Sequence, residues 1–311
     1  MTLFFRFLLR AVPTLLGAIT ILFLILRMIP GDPAQAMLGA DASAADLARL
    51  RAQLGLDKPV VVQYLYYMAD FLRGDWGNSI VTKTPALARV LEVLPSTLML
   101  CAGAMVVIVA VSIPAGVVSA VRRDSWVDYA VSVLVFLLMS MPQFWLGLLM
   151  LLVFAYWLDW FPIYGAADGG GLLTQLHHIA LPALTLAASF MALATRLTRS
   201  SMLEVLGREY VRTARAKGLA EPVVIVRHAL RNALLSVITV LGLTVGQLLG
   251  GAVIVEVVFA RPGVGTMIWD AILQRDYPQV QAAVAVFAGL FILTNFLTDV
   301  LYSALNPRIR I

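Results

Sequence analysis

Six stretches of this chain are each long and apolar enough to cross a lipid bilayer, and no water-facing globule can hide them all. They run over 11–29, 96–121, 127–158, 179–197, 233–258 and 282–305, against about 20 apolar residues per spanning helix. In lipid the backbone must satisfy its own hydrogen bonds, so apolar runs of this length are read as helices. The expected fold is therefore an all-α integral membrane protein of about six transmembrane helices. The third stretch is too long for one straight span and contains Pro142, which predicts a kink or a break.

Charge sets the orientation. With the N-terminus inside, the inner side gathers fourteen of the 23 Lys and Arg residues and only five acids. The outer segments carry nine basic and eleven acidic residues, and Glu256 and Asp299 fall within spans. Both termini are thus expected in the cytoplasm. Arg6 and Arg10, the apolar run and Ala34-Gln35-Ala36 mimic a cleavable signal, but Pro30-Gly31-Asp32-Pro33 interrupts it and cleavage would upset the charge balance. The first span is expected to stay. Arg27, near its end, can snorkel to the interface.

The chain is 61% hydrophobic and 13% charged, with net charge +5. Topology accounts for that positive charge, and no nucleic-acid recognition motif accompanies it. Cys101 is the only cysteine and lies in an apolar run, so neither an intrachain disulfide nor a cysteine metal cluster can form. The chain is read as one transmembrane domain, 1–311. It has a long outer segment at 30–95, with a helix-like pattern over 44–54 and a turn-rich Gly74-Asp75-Trp76-Gly77-Asn78-Ser79. Gly169-Gly170-Gly171 reads as a flexible tip of the second outer loop.

A nucleotide-hydrolysing centre is not expected. Before Lys83-Thr84 the phosphate-loop glycine is replaced by Thr82, and neither Lys58 nor Lys217 completes the pattern. His177 and His178 are adjacent, so on a helix they point about 100° apart and suit no single metal. Glu256 would be costly at membrane depth unless it faces a cavity or a partner. Gly242, Gly246 and Gly250 recur every four residues, a spacing that permits close helix packing, a subunit interface or a pathway wall.

The most specific segment is the inner loop at 201–232. Good helix formers run from Glu209 to Lys217, Gly218 is a natural stop, and Pro222 suits the opening of a second helix over 223–232, with Arg227, His228 and Arg231 outward. Two short helices joined at a glycine form a lever rather than a slack connection. The residues read as contacts are Ala214, Lys217 and Gly218, with Glu209, Arg212, Thr213 and Arg215 around them.

Here the chain resembles the membrane subunits of binding-protein-dependent ABC importers, and within them the B-type branch of the dipeptide/oligopeptide/nickel permeases. The matching residues are Arg212-Thr213-Ala214-Arg215-Ala216-Lys217-Gly218 and Arg227-His228-Ala229-Leu230-Arg231-Asn232-Ala233. Pro30-Gly31-Asp32-Pro33, Leu54-Gly55-Leu56-Asp57, the Gly74–Ser79 segment, Arg261-Pro262-Gly263-Val264-Gly265, Asp276-Tyr277-Pro278 and Asn306-Pro307 follow in the expected order. The general family motif begins Glu-Ala-Ala, whereas Arg212-Thr213-Ala214 stands here, so the acid's contact is not carried over. His228 and Arg231 likewise replace a later Ile and Pro, as is common in the peptide branch.

The resemblance implies a type I importer permease of the bacterial inner membrane whose 201–232 loop holds a coupling helix. It implies a second homologous permease, two cytoplasmic ATPases that bind ATP and Mg, a periplasmic binding protein, and no cofactor on this chain. Di- or oligopeptides are the expected cargo, with nickel chelates, glutathione or other peptide-like solutes as alternatives. An intramembrane enzyme is the rival class, but its histidines would lie in loops or at edges. An autonomous channel or secondary transporter is the other, but it would need more polar rings or broken spans than Pro142 supplies.

Overall fold

A computed structural model describes residues 2–28, 34–35, 42–53, 55–164 and 171–305. Pro30–Pro33, Leu54, Gly169, Gly170 and Asn306-Pro307 lie outside the described residues, as does the side chain of Asp299.

Among the described residues the chain is helical, with one isolated bridge between Asn78 and Pro85. The helices are α1 (Thr2–Met28), α2 (Ala44–Gln53), α3 (Val60–Arg73), α4 (Ala86–Val121), α5 (Trp126–Ser140), α6 (Gln143–Met150) and α7 (Leu172–Leu206). They continue with α8 (Glu209–Ala216), α9 (Glu221–Val223), α10 (Arg231–Val258), α11 (Val264–Leu273) and α12 (Tyr277–Leu305). Wider π-helical turns extend α6 over Leu151–Trp157 and join α9 to α10 over Val224–Leu230.

Among the described residues, five helices are long and apolar enough to cross a bilayer, and a sixth span results when the α5–α6 pair is taken as one broken span. The break falls at the expected proline, and the two halves bend by 110°. Met141, pushed out of the helical region by the ring that follows it, is extended at φ −86°, ψ 129°. Several helices outrun their apolar stretches. α4 has 36 residues and α7 has 35, so each exceeds 50 Å at about 1.5 Å per residue, against a hydrocarbon core of about 30 Å. Their ends carry structure into water.

The chain folds as two compact units, drawn from Met1–Pro95 with Gly263–Ile292 and from Ser96–Pro262 with Leu293–Ile311. In the first, Phe23 of α1 is buried, meets the Tyr64 ring edge-on and stacks on Tyr67, both at 5.5 Å between centroids. The Thr20 and Tyr64 hydroxyls are 2.7 Å apart. The ring series continues through Phe71 to Trp76, so α3 is fastened along α1. Ala86, Val90, Val264, Ile268, Ala282 and Ala283 form the unit's core.

The Gly74–Ser79 and Asp276–Pro278 segments are one piece of architecture. The Asp276 carboxylate accepts from the Ser79 hydroxyl, from the Ile80 N–H at 3.0 Å and from the Val81 N–H, and it caps α12 at the Gln279 N–H. Gln279 then donates to the Ala86 carbonyl at 3.2 Å. Four donors satisfy the buried carboxylate, and here it fixes the turn before α4 to the start of α12.

In the second unit α10 packs chiefly against α7, and α5 and α6 also pack on α7. Small residues set the closest approaches. A Cβ on Gly251 would lie 3.0 Å from Leu186, and one on Gly147 3.1 Å from Val258.

Candidate functional site: the loop between the fourth and fifth spans

The second unit builds the 201–232 loop as a small folded object. α7 stops at Gly207, Arg208 is extended, and α8 begins at Glu209. α8 has one apolar side: Val211 and Ala214, three residues apart, are buried with Val224 against Val205 and Leu206. That seat turns Glu209, Arg212, Thr213, Arg215 and Lys217 outward. Ala214, read from the sequence as a contact, points inward at 6% exposure and helps seat the helix.

The chain then reverses. The Gly218 N–H bonds the Arg215 carbonyl at 2.9 Å, and Gly218 sits at φ +77°. This left-handed conformation costs an ordinary residue about 1–2 kcal/mol, which is why a glycine ends the helix here. Nothing lies within 4 Å of where its Cβ would be, so the constraint is conformational, not steric. Pro222 opens α9, as its position suggested.

Charge ties the corner together. Arg215 donates to Glu221 through Nε at 3.1 Å and Nη2 at 2.6 Å, spanning the reversal. The Glu221 carboxylate holds the Arg215 pKa above its ordinary value. Arg212 pairs with Glu209 at 3.3 Å, the Thr213 hydroxyl donates to the Glu209 carbonyl, and Arg208 pairs with Glu204. These pairs are exposed and contribute little to stability, but they shape the face that α8 presents. Lys217, Gly218, Leu219 and Ala220 complete it, all exposed. Arg227 and Arg231 are exposed, whereas His228 is half-buried.

Sequence reasoning missed what holds this loop from behind. Arg199 on α7 grips Asp128 on α5 through two bonds of 2.7 Å each, and the Ser119 hydroxyl of α4 and the Asp124 N–H also donate to Asp128. The Asp128 side chain is 5% exposed and that of Arg199 30%. A bidentate, hydrogen-bonded pair of this kind is strongly directional. It joins three helices two turns before α7 ends. Ala120, Met202, Ala229 and Ala233 pack nearby and bring the return from the loop into the same junction.

The glycine series on α10 divides by position. Gly242 meets Thr298, whose hydroxyl bonds the Gly242 carbonyl at 3.1 Å; Gly246 is buried, and Gly250 opens on empty space. Three glycines at a four-residue spacing drift by about 80° around a helix, so the series starts in a packed groove and ends at an open edge. Gln247 is exposed beside Gly250, and the Gln143 amide at the α6 break lies against Gly251. Glu256 is fully buried and accepts from the Thr97 hydroxyl at 2.6 Å. His177 and His178 contact the carbonyls of Trp160 and Tyr164 at 2.7 and 3.0 Å, pinning the segment after the π-helical turn.

Apolar spans, a broken third span and a folded helical corner between the fourth and fifth define a multi-pass membrane transport subunit. The chain belongs to the binding-protein-dependent transport system inner membrane component family: its main model matches residues 112–311 and its N-terminal model residues 1–101. The fold is that of a type I ABC importer permease. Similar proteins include the dipeptide transport system permease protein DppB of Alkalihalophilus pseudofirmus, 40% identical over 98% of both chains. The oligopeptide permease AppB of Bacillus subtilis is 41% identical over 97% of this chain and 96% of its own. The glutathione permease GsiC of Pectobacterium atrosepticum is 43% identical over 99% and 98%.

Proposed function

We propose that this chain is one of two permease subunits of an importer that moves short peptides into the cytoplasm, driven by two ATPase subunits and fed by a periplasmic binding protein. The outward face of α8 carries this reading. A seated eight-residue helix with ionic and polar groups on its free side, ended by a left-handed glycine, is built to be gripped by another protein. ATP and Mg are bound by the partners, since the sequence holds no phosphate loop. Closure of the ATPases moves α8, and α7 and the π-helical turns after Glu221 pass the movement to the spans as rigid-body tilting.

Both termini and the arginine-rich loop lie in the cytoplasm of a bacterial cell, in accord with the positive-inside rule. Dipeptides, oligopeptides and glutathione, the cargoes in the relatives' names, share the peptide bond and a free carboxylate, so a short peptide is the cargo class. Gly250 and Gln247 supply the pathway wall or its edge.

Two measurements test this. Cysteine placed at Lys217 is expected to cross-link to the ATPase in the assembled complex and to do so less when nucleotide changes its state. A complex that purifies and transports without any ATPase chain contradicts the proposal. Mass spectrometry of ligand retained by the cognate binding protein is expected to find a peptide, and recovery of a sugar or a lipid contradicts the cargo.

A further inference from the structure

We propose that the first unit holds a binding site for an anionic phospholipid headgroup, in the leaflet where α1 ends, with Arg27 and Lys83 as its cationic contacts. A cavity of about 400 Å³ opens there, large enough for a small ligand. Phe23, Leu26, Ile80 and Pro278 give it apolar lining; Arg27 and Lys83 line it as well, and among the described residues none that line it is acidic.

The two cations are placed differently and reach the same space. Arg27 lies one turn after Phe23 on α1, with its guanidinium carbon 5.3 Å from that ring's centre, so its stem follows the apolar wall. Lys83 sits at φ +59° in the turn whose N–H groups the Asp276 carboxylate holds. Its own N–H bonds the Ser79 carbonyl at 3.0 Å. A lysine in a left-handed conformation carries a backbone cost that a glycine would avoid. Among the described residues neither cation has a carboxylate partner.

Ordinary snorkelling accounts for Arg27 alone. It does not account for a second cation, carried by a hydrogen-bonded turn, lining the same cavity. A phosphodiester suits the pair, because guanidinium and ammonium both bind phosphate oxygens tightly. The attached glycerol and first methylenes suit the apolar lining. A free phosphate satisfies the cations but leaves that lining wet. Basic recesses between transmembrane helices on the cytoplasmic side bind anionic headgroups, and the same chemistry is proposed here at the other end of the span.

The test uses the assembled importer in nanodiscs of phosphatidylcholine with a minority of phosphatidylglycerol, and native mass spectrometry of the lipid that stays bound. Wild-type protein is expected to retain phosphatidylglycerol over phosphatidylcholine. Arg27→Gln and Lys83→Gln are each expected to lower that retention about fivefold, and the double variant about thirtyfold. Arg27→Lys, which keeps the charge, is expected to retain most of the binding, and inorganic phosphate at millimolar concentration to displace little. Equal retention by wild type and a double variant that still assembles overturns the proposal. So does displacement by inorganic phosphate, which makes the site a simple anion site, or the absence of a preference between the two lipids.

Discussion

Arg199 and Arg215 each grip a carboxylate through two nitrogens, yet their surroundings differ. The Arg199–Asp128 pair sits where α4, α5 and α7 meet, with the acid 5% exposed. The Arg215–Glu221 pair lies on the loop surface, its side chains 41% and 50% exposed. Burial decides what each can do. A desolvated pair is costly to break, because the remaining charge has no water to turn to. An exposed pair is screened by salt and exchanges readily with solvent. The junction therefore behaves as a fixed bearing, and the loop it supports keeps a surface whose ionic partners can be traded for those of another protein.

The largest expected effect comes from breaking the bearing. Arg199→Leu leaves Asp128 with only the Ser119 hydroxyl and the Asp124 N–H as donors and is expected to cost about 3 kcal/mol, the lower end for a buried pair, read as a lowered melting temperature of the purified assembly. The Arg199→Leu, Asp128→Leu double variant leaves no orphaned charge and is expected to be milder. If single and double variants melt alike, the pair is not the compensated buried couple described here. The next test uses the same junction without charge. A Cβ on Gly116 would lie 2.5 Å from the Thr198 Cβ and 2.8 Å from the Thr195 carbonyl oxygen. Backbone cannot easily retreat, so Gly116→Ala is expected to cost about 1–3 kcal/mol as overpacking. A variant that melts like wild type would show that α4 and α7 are looser than the comparison requires.

The loop should respond in the opposite manner. Gly218→Val meets no atom but must hold φ +77°, a local strain of about 1–2 kcal/mol that unwinds the end of α8 more readily than it unfolds the unit. The expected outcome is normal membrane insertion with substrate-stimulated ATP hydrolysis strongly reduced. Normal stimulation in reconstituted complexes would remove Gly218 from the coupling path.

The two regions were not equally legible in the sequence. Hydropathy places the spans because lipid imposes a length that each helix must meet alone. The break at Pro142 and the reversal at Gly218 were readable because proline and glycine act on their own backbone. The bearing is not readable, since Asp128 and Arg199 are 71 positions apart and each alone is only a charge on the inner side. Asp276 and Ser79, 197 positions apart, show the same limit: two turn-like segments could be seen, but not that one carboxylate joins them. Ala214 is a different case. Its spacing of three from Val211 marks a buried side of α8, which the charges on either side of it mask in the sequence.

The smallest expected effect is the sharpest check on the comparison. Glu221→Gln removes one charge from the exposed pair but keeps a hydrogen-bond acceptor beside Arg215, and water can replace whatever is lost. The melting temperature of the assembly is expected to stay within experimental scatter, at low salt as well as at high. What should change is recognition. Freed from Glu221, Arg215 can reach a partner's acid sooner or sample the wrong geometry, and either change alters cross-linking from a cysteine at Lys217 in a salt-dependent way. A melting loss as large as that of Arg199→Leu would mean that the corner bears load as the junction does and is no surface whose ionic partners can be traded.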